Sequence, residues 1–145
     1  MTSVNDGPRL EVDHIAALLG NALRSLRAEI LVSSEQRFPG LRSSHYRLLD
    51  LIPPEGARIT DLAEVAAMTK QGLGQHVDYL QRLGFTESVR LPGDRRVRLV
   101  RRTALGDEAV ALSWSAIARV ETLWAERLGP ERYAVLREAL RELGN

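Results

Sequence analysis

The chain has no cysteine. That excludes disulfides, thiolate metal sites, a thiol nucleophile and a cysteine redox sensor. Lysine is nearly missing too: Lys70 is the only one. No apolar run approaches the length of a membrane span, and none has the form of a signal-peptide core. The cytoplasm is therefore the expected compartment, with no membrane partner. The three histidines, His14, His45 and His76, lie far apart and show no metal-ligand spacing, so neither a metal nor a cofactor is expected. There is no nucleophile–base pair, no phosphate-cradling glycine loop and no pair of buried carboxylates at helix spacing. An enzyme is not expected. Net charge is +1, which by itself says nothing about partners.

The charge distribution is more informative. Between Arg82 and Arg102 stand seven arginines and two acids, Glu87 and Asp94, so this stretch carries +5 and the remainder −4. A basic segment on an otherwise acidic chain is the footprint of a polyanion-binding face. A solvated arginine-rich hairpin is the alternative. With 145 residues, 44% of them hydrophobic, the chain can bury a core as one domain or as a small domain with helical arms.

Residues 1–9 read as a flexible N-terminus, with Gly7-Pro8 as a breaker. From residue 10 to about 37, Val12, Ile15, Leu19, Leu23, Leu26 and Ile30 recur every three or four residues, which predicts one long amphipathic helix. Leu41 to Ile52 predicts a second helix with Tyr46, Leu49 and Ile52 on one side, ended by Pro53-Pro54. Ala57-Arg58-Ile59 suits a stub of strand. Thr60 suits the N-cap of a third helix reaching about Ala67, with Asp61 and Glu64 in its first turn and Leu62 and Val65 inward.

Thr69 suits the cap of a fourth helix. Leu73, Val77 and Leu80 fall in one narrow arc of it, and Gln71, Gln75, Asp78 and Arg82 fall in the opposite arc. Gly84 is a good stop. Two helices joined by a tight turn, the second with a polar outer face, form a helix-turn-helix. Thr86–Leu91 and Val97–Val100 are strand-like around Pro92-Gly93-Asp94, which predicts a hairpin wing. Thr103 caps a long fifth helix with Ile117, Val120, Trp124 and Leu128 on a stripe. Gly129-Pro130 separates it from a last helix carrying Tyr133, Leu136, Leu140 and Leu143 on one face.

The expected fold is thus mainly α with a small β-wing. A winged helix-turn-helix core at about 41–102 is flanked by N- and C-terminal helices at about 10–37 and 104–143, in a single domain spanning 10–145. The flanking stripes need a partner, and a homodimer paired through them is the simplest one.

Several segments in this order resemble the MarR family of transcriptional regulators. They are Leu41 with His45 and Leu48-Leu49, Ile59-Thr60-Asp61-Leu62-Ala63, Thr69-Lys70, Val77-Asp78-Tyr79-Leu80 and Leu83-Gly84-Phe85. Asp94-Arg95-Arg96, with Thr103 and Gly106, is the most specific. The resemblance covers about residues 10–143. It implies a triangular homodimer that binds double-stranded DNA at a pseudo-palindromic operator, usually as a repressor. It also implies release by a small, often aromatic and anionic effector held between the DNA-binding lobe and the dimerisation helices. The chain departs from the pattern at Gly72 and Gly74, at His45 where Gln is common, and at Arg102 where an apolar residue is usual.

Gln71 and Gln75 are the candidates for base contacts, since a Gln amide pairs bidentately with the major-groove edge of adenine. Thr69 and Lys70, near the helix N-terminus, suit phosphate contact. His76, beside the polar arc, suits either backbone contact or packing. Gly72 and Gly74 each weaken the helix by roughly 1 kcal/mol relative to Ala; they either let the backbone approach DNA closely or mark positions with fewer contacts. Arg95 and Arg96 suit the minor groove from the wing tip. Arg90 and Arg98 flank the tip and suit phosphate. Asp94 is expected, by resemblance, to orient a wing arginine through a salt bridge, and Asp78 to do the same for Arg82 or a wing residue. His14 and His45 are the candidates for an effector pocket. A winged-helix adaptor that binds protein rather than DNA is the competing reading.

Overall fold

A computed structural model of the chain describes residues 12–144. The reading of residues 1–9 as a flexible terminus, and the start of the first helix at residue 10, lie outside the described residues. Six helices and a three-stranded antiparallel sheet follow one another among the described residues. They are α1 (Ile15–Ser34), α2 (Ser43–Leu51), β1 (Ala57–Arg58), α3 (Ile59–Val65), α4 (Lys70–Arg82), β2 (Thr86–Leu91), β3 (Asp94–Arg102), α5 (Ala104–Leu128) and α6 (Pro130–Leu143).

The core lies where α2, α3 and α4 meet the sheet and the first half of α5. Leu49, Leu73, Val77, Leu80, Val100, Ala109 and Ala116 are fully buried there. Burying each large aliphatic side chain is worth about 1.5–3 kcal/mol. The periodic residues of α4 go where their spacing sends them, and Gly84 ends the helix with φ +87°. Only a residue without a Cβ takes that conformation cheaply. Gly106 serves close approach instead. A Cβ there would stand 2.2 Å from the Phe85 carbonyl oxygen, so the start of α5 can press against the end of the helix-turn-helix. Thr103 joins the two, donating to the Gly84 carbonyl at 2.6 Å and accepting from the Gly106 N–H at 3.2 Å.

The strand order is β1-β3-β2. Ala57 pairs with Val100 and Thr86 with Arg102, so β3 is the central strand. β3 begins at Asp94, earlier than the expected Val97. Arg90 pairs with Arg98 but Leu91 pairs with Asp94, so three extra residues bulge from β3 at the tip.

The third helix differs from expectation. It starts at Ile59, with Arg58 rather than Thr60 in the cap position. The long-range pairing of Ala57 and Arg58 with Val100 and Leu99 carries the chain straight from strand into helix and leaves Thr60 inside the first turn. The helix ends at Val65, and Ala67 takes a left-handed φ of +54° in the turn. Leu62, Ala63 and Ala66 face inward, whereas Val65 is 63% exposed. At 100° per residue Val65 falls well outside the arc that those three define.

In the flanking helices, His14 caps α1, so Val12 precedes the helix instead of opening its stripe. The helix ends at Ser34, short of the expected 37. α1 runs along α5, and α6 folds back on the end of α5. No residue of α6 is buried.

Candidate nucleic-acid interface

Three elements build this face: α4, the β2–β3 wing and the loop before α2. Thr69 accepts from the Gly72 N–H at 3.0 Å through its hydroxyl, which fixes the start of α4. Gly72 fits this cap, because a Cβ there would stand 3.0 Å from Thr69 Oγ1. Gly74 has open space around the Cβ it lacks. Gln71, Gln75, Asp78 and Arg82 are exposed on the side opposite the buried stripe, and Lys70 is exposed in the first turn. A helix presenting amides and a lysine outward, with nothing apolar between them, is chemically suited to the floor of a nucleic-acid groove.

His76 and Tyr79 lie at the edge of that arc, half-buried. The Tyr79 ring stacks on His45 at 4.9 Å between centroids, 24° from parallel, and His76 meets His45 edge-on at 5.4 Å. Tyr79 donates its hydroxyl hydrogen to the Gly40 carbonyl at 2.8 Å. The Arg82 guanidinium sits over the other end of the group, 5.9 Å from the Tyr79 centroid. This aromatic group ties α4 to α2 and to the loop before it. Packing is therefore the role the contacts give His76.

His45 is buried, and its Nδ1 accepts from the Arg42 N–H at 2.9 Å. Burial, reinforced by the neighbouring His76 and Arg42, holds its pKa below the usual 6.5.

The seven arginines of the basic stretch divide into two sets. Arg101 pairs with Glu87 at 2.7 Å, directly opposite it on the ladder. Arg102 pairs with Asp107 at 2.8 Å and donates to the Leu49 carbonyl at 2.9 Å; its side chain is only 16% exposed. Arg98 pairs with Asp78 at 3.5 Å. Arg82, Arg90, Arg95 and Arg96 form no salt bridge among the described residues. Arg90 donates to the Arg95 carbonyl at 3.3 Å, which steadies the tip. The cationic face is narrower than the +5 count implied. It consists of Arg90, Arg95 and Arg96 on the wing, Arg82, and Lys70 at the start of α4.

Asp94 does not form the expected ion pair. Its Oδ1 accepts from the Arg96 backbone N–H at 3.0 Å, closing a turn. A carboxylate two residues before an N–H satisfies it locally, and the guanidiniums of Arg95 and Arg96 are left free.

The structure separates the two candidate effector residues from any shared pocket. His14 is exposed and capped onto its own helix, its Nδ1 accepting from the Ala17 N–H at 3.1 Å. His45 faces α4. A cavity of about 450 Å³ lies nearby between α1, α2 and α5. Leu23, Leu26, Arg27 and Ile30 line it from α1, Ser43, Tyr46, Arg47 and Asp50 from α2, and Ser113 and Ile117 from α5. The signal was present in the spacing: 43, 46, 47 and 50 share one face of a helix. Position 45 stands 100° from Tyr46 and turns away. Tyr46 is 2% exposed, and its hydroxyl has no hydrogen-bond partner among the described residues. The Ser34 hydroxyl beside it donates to the Leu31 carbonyl instead. Burial pushes the Tyr46 phenol pKa up.

No family model matches the chain, and no curated protein matches it in sequence. Solved structures do match. Wild-type MarR from E. coli in its apo form superposes with a TM-score of 0.72 at 16% identity, over 92% of this chain and 98% of that one. This is the MarR fold. A MarR family transcriptional regulator from Streptomyces coelicolor, solved in complex with DNA, matches at 0.66 and 24% identity over 97% of this chain and 91% of that one. CouR from Rhodococcus jostii RHA1, bound to p-coumaroyl-CoA, matches at 0.71 and 20% identity over 90% and 92%. In the MarR fold of this chain, α3 and α4 are the helix-turn-helix, β2 and β3 the wing, and α1, α5 and α6 the flanking helices.

Proposed function

We propose that the chain is a sequence-specific, DNA-binding transcriptional regulator acting as a homodimer. The observation that carries this reading is the outer arc of α4, polar throughout and set beside a wing tip whose two arginines are free of carboxylates. Lys70 and the tip arginines supply sequence-independent grip, and Gln71 and Gln75 supply base reading. The S. coelicolor structure, of the same fold and solved with DNA, supports the assignment.

The second copy is the partner for the flanking helices. Ile15, Leu18, Leu19 and Leu23 on α1 and Leu140 and Leu143 on α6 are exposed, in stripes too long for a solvated surface. Two wings and two recognition helices then address two half-sites about one helical turn apart.

The cavity between α1, α2 and α5 is the site for an effector that releases DNA, making the chain a repressor. Its apolar walls suit an aromatic or acyl group, Arg27 and Arg47 suit an anionic one, and the unpartnered Tyr46 hydroxyl suits an acceptor atom. CouR bound to p-coumaroyl-CoA, an aromatic and anionic molecule, supports this chemistry.

A gel-shift titration tests the proposal, using the DNA upstream of the gene and duplexes enriched from a randomised library. The expected result is a specific complex of one dimer per duplex. Gln75→Ala is expected to relax preference at one base pair per half-site, a discrimination of about 1–3 kcal/mol. An intact dimer that enriches no sequence would overturn the reading.

A further inference from the structure

We propose that Arg98 is a positioning residue that locks the wing to the recognition helix, not a phosphate contact. The proposal rests on the DNA-binding reading above and concerns how the two reading elements are held in register.

The argument begins with the pleat. Ser88 pairs with Val100, and Arg90 with Arg98, so these four residues share one face of the ribbon. Val100 is fully buried, which makes this the face that packs toward the helices. Arg98 therefore leaves the strand inward, where the apolar core gives out. There it meets Asp78 and Gln81, three residues apart and on one side of α4.

Three side chains from three elements close a ring at this point, and Asp78 joins it through Arg98. Arg98 Nε donates to Ser88 Oγ at 2.7 Å, and its Nη2 donates to Gln81 Oε1 at 3.3 Å and to Asp78 Oδ1 at 3.5 Å. Ser88 passes its hydroxyl hydrogen to Gln81 Oε1 at 2.8 Å. Asp78 is 65% exposed, so its ion pair contributes little and is screened by salt. The directional part is the Arg98–Ser88–Gln81 set. The Arg98 side chain is 32% exposed, and its Nε and Nη2 are engaged within the protein, leaving only Nη1 without a partner among the described residues. Arg95 and Arg96, three and two residues earlier, carry no such bonds. The wing thus uses arginine for two tasks: Arg98 holds its root to α4, and the tip pair is left to grip. With the root held, the distance between the groove read by α4 and the groove entered by the tip is fixed before DNA arrives.

The test compares salt dependence on one duplex enriched from a randomised library by the wild-type protein. Losing a phosphate contact lowers the slope of log K against log salt by about 1. Arg98→Ala is expected to weaken binding tenfold or more with the wild-type slope, whereas Arg96→Ala weakens binding and lowers the slope. Ser88→Ala, a milder change, is expected to weaken binding several-fold, and the Ser88→Ala/Arg98→Ala pair to bind no worse than Arg98→Ala alone. Hydrogen exchange on the free protein reads the lock without DNA: Arg98→Ala is expected to speed exchange of the β2 and β3 amides near the tip while α5 keeps its protection. A lowered slope for Arg98→Ala, additive effects of the pair, or unchanged wing exchange would each overturn the proposal. If the wild-type chain enriches no duplex, the DNA reading fails by itself, and the exchange result still decides whether Arg98 locks the wing.

Discussion

The helix-turn-helix lobe and the flanking helices carry the same signal, apolar residues every three or four positions, with opposite outcomes. In α4, Leu73, Val77 and Leu80 are all 0% exposed. In the flanking helices, Ile15 is 68% exposed and Leu143 80%. Helical periodicity states that a face is apolar; it does not state what covers that face. The lobe has β3 and α5 to lie on and completes itself within one chain. Along much of α1 and at Leu140 and Leu143 of α6 the stripe faces outward, which is the condition that a second copy would relieve.

The largest expected effect would break this contrast if it were absent. Leu73→Ala empties a fully enclosed site and should cost about 2–5 kcal/mol, measured by denaturant unfolding and independent of protein concentration. Leu140→Ala, at a position 44% exposed, should cost little in dilute protein and progressively more as concentration rises, because its packing is supplied by association. Equal losses at both positions, at all concentrations, would mean that the two stripes do not differ in the way the structure shows.

A smaller effect sharpens the comparison inside α4. Gly74→Ala should raise stability by about 1 kcal/mol, since the added Cβ meets nothing within 4 Å and helix propensity improves. Gly72→Ala should gain less, because its Cβ would press Thr69 Oγ1 at 3.0 Å, the atom that caps the helix. Thermal or denaturant midpoints of the two variants decide this. If Gly74→Ala also weakens DNA binding while stabilising the protein, the glycine serves close approach of backbone to DNA.

These two cases show where the sequence was legible. Thr69, the stripe of Leu73, Val77 and Leu80, Gly84, the hairpin and the Gly129-Pro130 break could all be read, because each depends on neighbours within a turn or two. The misreadings depend on contacts across the chain. Thr60 lost the cap position because Ala57 and Arg58 pair with a strand some forty residues later. Arg98 reads as one more exposed arginine until β3 is laid beside α4. Asp94 went wrong for the opposite reason: its partner was local, the Arg96 N–H, where a long side-chain pair was expected. Of the effector residues, the resemblance places His14 and His45 on helices that border the ligand cleft, but the cavity is reached by Tyr46 and Arg47, one and two helix steps beyond His45.

The smallest effect is confined to acid and asks whether the lobe is as self-contained in its polar groups as in its apolar ones. His45 is buried against Tyr79 and His76 and keeps a depressed pKa, chiefly through desolvation. Folded protein therefore holds it neutral, and the unfolded chain takes up a proton as pH falls below the usual 6.5. The stability that neutral His45 contributes is complete above that value. It drains away as pH falls from 6.5 toward the depressed folded value. His45→Gln removes the titration while keeping an acceptor for the Arg42 N–H, and Gln is the residue usual at this position in the family the chain resembles. Unfolding free energy followed from pH 7.5 to 5.5 should fall more steeply in the wild type than in His45→Gln. Parallel curves would show that the stack with Tyr79 tolerates a charged imidazole, and that α2 and α4 are joined less tightly than their contacts imply.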